Sequence, residues 1–299
     1  MIEDPSVLFL FNLITNESII ETTLRNLDID NSRMPVNKIT QQRIVKGYEI
    51  IQQITDYVKD KKKEEEEEIK NNLKNLSFEY DKYIPHVSSC HINSKTILKY
   101  TNEIEIIKRI YDTYCSIIKG KRSNEVLNKY NKIYESLGLG ISDIQNTHEY
   151  NEIYKFAKSD NNKLNIVKIY KIDDLRRKDV YNEFIEKNKC NRTLAIHGSP
   201  VTNWFSILKN GFYINPTLVG VKINGKVYGN GIYFSNSCQF SLSYCLMNNS
   251  DKSEFCIFGL CEIALTNDSY NGHGIYVIFN TQQYVFKYII VVKNDHNKS

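Results

Sequence analysis

The chain has 299 residues, 41% of them hydrophobic, enough for one large or two ordinary domains with real cores. Its 39 basic and 35 acidic side chains leave a net charge of +4, which excludes a concentrated electrostatic footprint for nucleic acid and leaves at most modest DNA affinity. Seven cysteines without a Cys-x-x-Cys pair, no secretory apolar segment, and apolar runs no longer than Val7–Leu13 or Tyr288–Val292 exclude a disulfide scaffold and a membrane span, so a soluble, intracellular protein of nucleus or cytoplasm, not secreted, is expected.

From Pro5 to about Leu137 apolar residues recur at helical spacing, first at Val7, Leu10, Phe11 and Ile14, then at Ile44, Tyr48, Ile51 and Ile54. This half is predicted to be an all-α helical bundle. Met34-Pro35 is expected to separate the first two helices, the second opened by Pro35 and capped near Thr40, and Ile84-Pro85 marks another interruption. Further helices are expected over Ser94–Lys119 and Glu125–Leu137, whereas Lys61–Glu68, three lysines then five glutamates, reads as a solvated helix end or loop. His86, Cys90 and His91 cluster, but no second ligand pair follows at zinc spacing, so no metal is expected.

Gly138 and Gly140 then punctuate the chain, and short β-branched and aromatic runs replace the helical period. The domain boundary is placed there, giving units 1–137 and 138–299. Strands are predicted at Ile166–Tyr170, Thr193–His197, Gly231–Phe234, Phe255–Ala264, Tyr276–Phe279 and Tyr288–Val292, with helices near Asn203–Lys209 and Ser237–Met247. The fold class is therefore α+β, an N-terminal helical bundle followed by a mostly antiparallel β-sheet.

Chemistry concentrates between Leu194 and Tyr244. Taken singly, a His before Gly-Ser, a Gly-x-Gly turn or a strand tyrosine is most often structural. Together they suit the holding of NAD⁺ while the nicotinamide–ribose bond breaks. The nicotinamide ring is cationic and is held well between aromatic faces, which Tyr233 and Tyr244 can supply. Its carboxamide needs a donor and an acceptor in a fixed fork; the backbone of Gly198 offers both without a side chain in the way, and Ser241 can add a hydroxyl donor. Ser241 and Tyr244 are three apart on a predicted helix and face the same way. His197 is placed to orient a ribose hydroxyl as an oxocarbenium-like centre develops, and Ser199 is a candidate for the distal adenosine.

At these residues the sequence resembles the catalytic domain of the poly(ADP-ribose) polymerases, an ADP-ribosyltransferase fold with a His-Gly-Ser strand, a Gly-x-Gly-Ile-Tyr-Phe strand and a following Ser-x-x-Tyr. The resemblance implies NAD⁺ as co-substrate and no metal. It makes His197 the NAD-orienting histidine, Gly198 the carboxamide clamp, Ser199 and Asn203 adenosine-side contacts, Tyr233 and Tyr244 the stacking pair, and Ser241 the carboxamide serine. Upstream, Met34-Pro-Val-Asn-Lys-Ile-Thr-Gln-Gln-Arg-Ile and Tyr83-Ile-Pro-His resemble the regulatory helical domain of the DNA-damage-dependent members. That likeness implies a helical half that shields the NAD⁺ site until it is released. With no recognisable DNA-reading domain, the trigger is expected in trans, and a chain starting near Gly138 is expected to transfer ADP-ribose faster than the full length.

The departures bear on activity. In polymerising members a glutamate completes a His-Tyr-Glu set; counting back from Lys287-Tyr288-Ile289-Ile290 places Ile275 there, so the catalytic set reads His197, Tyr233, Ile275. Isoleucine cannot polarise an acceptor hydroxyl, and general-base help is worth about 10²–10⁴-fold. His-Tyr-Ile sets in the family imply mono-ADP-ribosylation. Phe240 replaces a lysine before the pocket serine, Tyr213 a basic residue, and the usual long insertion shrinks to Thr266–Gly274, with Glu262 close by in the preceding strand. Three readings stay open: transfer of one ADP-ribose to a protein or nucleic-acid acceptor, an inactive NAD⁺ or ADP-ribose binding module, and polymerisation through another carboxylate.

Overall fold

Asp4 accepts from the Ser6 amide and Pro5 occupies the first turn, opening helix α1 (Pro5–Ile14), as a capping carboxylate and an N-terminal proline should. The structure, a computed structural model, describes residues 4–59, 66–121, 131, 134–161, 163–212, 214, 228–246 and 254–294. Asn16 caps α2 (Glu17–Asn26) by accepting from the Ser18 and Ile19 amides, so the first helical break falls at Thr15–Asn16 and not at Met34-Pro35. Met34-Pro35 instead leads into a short 3-10 turn, Val36–Lys38. Thr40 then accepts from the Arg43 amide at the start of α3 (Gln41–Lys59), and α4 (Glu66–Tyr83) stops ahead of Ile84-Pro85. An Asn93 side chain that accepts from the Lys95 and Thr96 amides delays α5 to Ile97–Lys121. The expected helix Glu125–Leu137 lies largely outside the described residues, as do Lys61–Glu65 of the charged block.

Four helices accompany the sheet: α6 (His148–Ala157), α7 (Leu175–Asn188), α8 (Val201–Asn210) and α9 (Cys238–Cys245). The strands are β1 (Gly140–Asp143), β2 (Ile166–Asp173), β3 (Asn191–Ser199), β4 (Ile232–Ser235), β5 (Phe255–Leu265), β6 (Tyr270–Gly272), β7 (Ile275–Ile278) and β8 (Tyr284–Lys293). They form one sheet in the order β1-β2-β8-β5-β3-β4-β7-β6, antiparallel at every described pairing. Strands β1 and β6 and helices α6 and α7 were not expected from the sequence. The two strands are short sheet edges, and α7 buries only Tyr181, so these three carry no strong apolar period, whereas α6 turns Ile153 and Ala157 inward.

The central strands are buried on both faces. Ile257, Cys261 and Ile263 of β5 join one apolar cluster while Cys256, Phe258 and Leu260 join the other, the period of two that a pleated strand imposes. All seven cysteines are free, and four of them, Cys238, Cys245, Cys256 and Cys261, are buried packing groups.

The packing units do not follow chain order. A separate helical core gathers residues from Ile20 in α2 to Ile117 in α5, but Val7, Leu10, Phe11 and Ile14 of α1 belong to the core built on the sheet by Trp204, Phe205 and Leu208. Tyr170 of β2 also donates to the Ser6 carbonyl at 2.7 Å. The segment Pro5–Asn26 reaches a mean hydropathy of 1.2, apolar enough by length to cross a membrane, although the sequence runs suggested none. It is divided at Asn16 into two ten-residue helices, each about 15 Å long against the roughly 30 Å of a bilayer core, and its apolar face is spent on these two cores.

Candidate active site

Sheet register assembles the site. Ser235 of β4 lies opposite both Ile196 of β3 and Ile275 of β7, which brings the neighbourhoods of His197, Tyr233 and Ile275 side by side on three adjacent strands. A tight turn sets the position of Ile275: Gly272 pairs with Ile275, and the two residues between, His273 and Gly274, both have positive φ, at 53° and 74°. That is the two-residue hairpin geometry whose twist matches the strands. The short Thr266–Gly274 segment is thereby a hairpin that delivers Ile275 to the pocket.

One small pocket is lined by His197, Gly198, Tyr233, Ser241, Tyr244 and Ile275, together with Phe240 and Ser235. Ser199 and Asn203 lie in an adjoining cavity of about 270 Å³ that His197, Gly198, Tyr233 and Tyr244 also border. Every expected site residue is thus placed on one continuous surface. Tyr213, by contrast, lies outside the described residues.

β3 pairs with β4 at Ile196, and two residues further on Gly198 lines the pocket. Helix α9 crosses so close that a Cβ on Gly198 would stand 2.1 Å from the Ser241 carbonyl oxygen, so no other residue fits between strand and helix. The closeness is what allows one small group to touch the Gly198 backbone and the Ser241 side chain together.

The His197 imidazole is fixed in one tautomer. Its Nδ1 lies 2.8 Å from the Tyr233 carbonyl oxygen, which can only accept, so Nδ1 carries the hydrogen and Nε2 is left as an acceptor. Burial drives its pKa down to about 4, and the nearby positive charge of Arg109 pushes the same way against the opposing Tyr233 carbonyl. The ring is packed by Phe212, 4.3 Å away between centroids, and by Phe234 at 5.8 Å. Near neutral pH it is a rigid, uncharged acceptor.

The stacking tyrosines differ in freedom. Tyr233 donates to the Gly229 carbonyl at 2.7 Å and accepts from the Tyr228 amide at 3.2 Å, which pins its ring. Tyr244 is 36% exposed and meets Phe240 edge to face at 5.4 Å, so it forms the outer wall. Ser241 Oγ lies 2.8 Å from Ser235 Oγ, a contact in which either hydroxyl can donate, and Ser235 Oγ also donates to the Ser237 carbonyl at 2.8 Å. The Ser241 hydroxyl therefore borders the pocket with a rotatable hydrogen.

Glu262 is not part of this pocket. It accepts from Tyr181 at 3.1 Å, pairs with Arg192 and Lys287 at 3.5 Å, and borders a different cavity with them. The described lining of the small pocket contains no carboxylate. His86 is engaged by Asp81 and Glu103 at 3.0 Å each, and among the described residues no group of three or more His, Cys, Asp or Glu side chains is arranged around a metal position.

Sequence reading missed the far wall of the larger cavity. Leu98, Asn102, Glu105, Ile106 and Arg109 of α5 line it, at spacings of four, three, one and three that put them on one helical face. That mixed polar and apolar face was a legible signal, but nothing local says what it covers.

Comparison with known proteins gives two family matches. The description "Poly(ADP-ribose) polymerase, regulatory domain" matches residues 4–134, and "Poly(ADP-ribose) polymerase catalytic domain" matches residues 147–271, ending short of Ile275. Among curated relatives, "Poly [ADP-ribose] polymerase 2" of Arabidopsis thaliana is 23% identical over 278 residues, covering 88% of this chain and 41% of its own length. "Poly [ADP-ribose] polymerase" of Sarcophaga peregrina is 25% identical over 278 residues, covering 87% and 26%, and "Poly [ADP-ribose] polymerase 1" of Danio rerio is 24% identical over 271 residues, covering 86% and 25%. The chain thus spans between a quarter and two fifths of the length of these relatives.

Proposed function

The chain belongs to the poly(ADP-ribose) polymerase family, carrying its regulatory and catalytic domains, and from that premise we propose that it is an NAD⁺ ADP-ribosyltransferase that adds single ADP-ribose units. Nicotinamide sits between Tyr233 and Tyr244, its carboxamide against the Gly198 backbone and the Ser241 hydroxyl. Neutral His197 accepts from a ribose hydroxyl through Nε2 and fixes the sugar as positive charge develops at its anomeric carbon. Ser199 and Asn203 take the adenosine end; the Asn203 Oδ1 is buried without a hydrogen-bond partner while its Nδ2 donates to Ser199 Oγ at 2.9 Å, which leaves an acceptor ready for a ligand donor.

The observation that carries the mono-transfer reading is Ile275, an aliphatic side chain on a pocket whose described lining holds no carboxylate. Without a group to polarise the hydroxyl of a growing chain, elongation loses about 10²–10⁴-fold, whereas a protein acceptor that is itself a good nucleophile is less affected. The same absence favours a second reading, an NAD⁺ or ADP-ribose binding module without transfer. The acceptors are protein side chains or nucleic-acid ends, a DNA-damage signal or a partner is the activating trigger, and the free cysteines suit an intracellular, reducing compartment.

The test is incubation of the full chain with ³²P-labelled NAD⁺ and a broken-end DNA duplex, resolved on a denaturing gel beside Ile275→Glu. A discrete labelled band from wild type that becomes a ladder in the variant is the expected result. A ladder from wild type would sink the mono-transfer reading. No label, with NAD⁺ binding still measurable by calorimetry, would select the binding module.

A further inference from the structure

Phe212 is carried out of helix α8 by the glycine before it. Gly211 makes the last helical hydrogen bond, to the Ile207 carbonyl, and turns the chain away at a φ of 80°, while the Leu208 and Lys209 carbonyls are taken by the Arg176 guanidinium. The Phe212 N–H donates instead to the Tyr284 hydroxyl at 2.7 Å, between side chains that are both buried, so a phenol from β8 stands in for a helical carbonyl. Only glycine fits at the turn: a Cβ on Gly211 would stand 2.6 Å from the Tyr284 oxygen and 2.9 Å from Arg177 Nη1.

Arg177 of α7 braces this phenol from behind. Its guanidinium lies 3.9 Å from the Tyr284 ring centre and donates to the Thr281 carbonyl, three residues before Tyr284. Helix α7, the entry to β8 and the end of α8 therefore meet at one tyrosine. The Phe212 ring packs against Tyr284 at 5.0 Å, Phe286 at 5.2 Å and Phe234 at 5.6 Å, and meets the His197 imidazole at 4.3 Å.

We propose that Tyr284, braced by Arg177, is a positioning residue for the transfer reaction, setting through Phe212 the orientation in which His197 meets the ribose. This rests on the reading of His197 given above. The Tyr233 carbonyl ties Nδ1, but a ring can pivot about a single hydrogen bond, so its face has to be fixed by packing, and Phe212 is nearer than Phe234 or Trp204. Phe212 follows a glycine whose backbone has a wide choice of conformations, so its ring is placed only as firmly as its amide is held. Neither Tyr284 nor Arg177 is among the described residues that line the two cavities of the site, whereas Phe212 lines the larger one, so their effect passes through Phe212.

Nitrogen NMR of the six histidines in the full chain, with the His197 signals assigned by their loss in His197→Gln, tests this beside calorimetry with nicotinamide and with nicotinamide riboside, which adds the ribose hydroxyls. Tyr284→Phe keeps the ring, the cation over it and the packing, and removes only the oxygen that receives the Phe212 amide. Its His197 Nδ1 and Nε2 resonances are expected to move from their wild-type positions, and its Kd for the riboside to rise about 3- to 10-fold, the worth of one hydrogen bond, with the Kd for nicotinamide unchanged. Unmoved His197 resonances, an unchanged riboside Kd, or an equal loss for both ligands would each overturn the proposal and leave Tyr284 and Arg177 a staple of the fold, whatever happens to the melting temperature. Should Tyr284→Phe fail to fold, the same changes are expected in Arg177→Met and smaller ones in Arg177→Lys, which keeps a cation over the ring; their absence in Arg177→Met would overturn the proposal equally. Wild type that prefers the riboside, with His197 unmoved in the variants, refutes the positioning role alone, whereas wild type that binds the riboside no more tightly than nicotinamide refutes the reading of His197 and the proposal with it.

Discussion

At the scale of single residues, the pocket works by removing freedom. Gly198 is forced by the approach of the Ser241 carbonyl, Tyr233 is held at its hydroxyl by Gly229 and Tyr228, and His197 is held at Nδ1 by the Tyr233 carbonyl. Because burial lowers the His197 pKa from 6.5 to about 4, its protonation is tied to stability with a definite sign. Between about pH 6.5 and 4 the unfolded chain binds a proton that the folded ring refuses, so this contribution is complete above pH 6.5 and is lost as pH falls through 4. Nicotinamide affinity, measured by calorimetry from pH 5.5 to 8.5, is therefore expected to show no step centred near 6.5. A fall in affinity at that pH would mean that the ring titrates normally and is not the neutral acceptor inferred from its surroundings.

At the scale of elements, the sheet edge and the first helix carry the consequences that local sequence patterns concealed. The β6–β7 hairpin closes in two residues and puts Ile275, its first residue past the turn, into the pocket, while Glu262, toward the C-terminal end of β5, faces other partners. Helix α1 belongs with the sheet. Phe11 is fully buried there, against Tyr134 at 5.6 Å and among the side chains that also pack Trp204. Phe11→Ala is expected to cost about 3–5 kcal/mol through lost transfer energy and the cavity left behind. Denaturant unfolding monitored by Trp204 fluorescence would register it, and a loss below about 1 kcal/mol would show that α1 is not an integral part of that core.

At the scale of the whole molecule, the two halves are interleaved. The chain leaves the sheet core at Ile14, builds a separate helical core, and returns through α5, whose Asp112 and Ser116 fasten it to α8. The expectation that a chain starting near Gly138 transfers faster meets this topology, because such a deletion strips α1 from the catalytic core as well as α5 from the cavity. Residues 138–299 alone are expected to melt without a cooperative transition in differential scanning calorimetry. A sharp transition near that of the full chain, together with faster transfer, would bear out the shielding picture and show that the sheet core stands without α1.

What the sequence by itself determined is the grouping of residues held in contiguous motifs. His197-Gly198-Ser199, Gly231-Ile232-Tyr233 and Ser241 with Tyr244 each sit within one turn or strand, so spacing alone predicted which side chains would share a face, and the helical and strand periods set the α+β class. The tertiary structure alone decided the rest. The break at Asn16 replaced the expected one at Met34-Pro35 because a cap acts through a side-chain hydrogen bond that a proline signal outweighs on paper. Ser235 and Ser241 met at 2.8 Å, Glu262 turned away from the small pocket, and Arg109 came from far upstream to line the adjoining cavity. Each of these depends on partners distant in the chain, and a local pattern of apolar and polar residues records that a face is covered without recording by what.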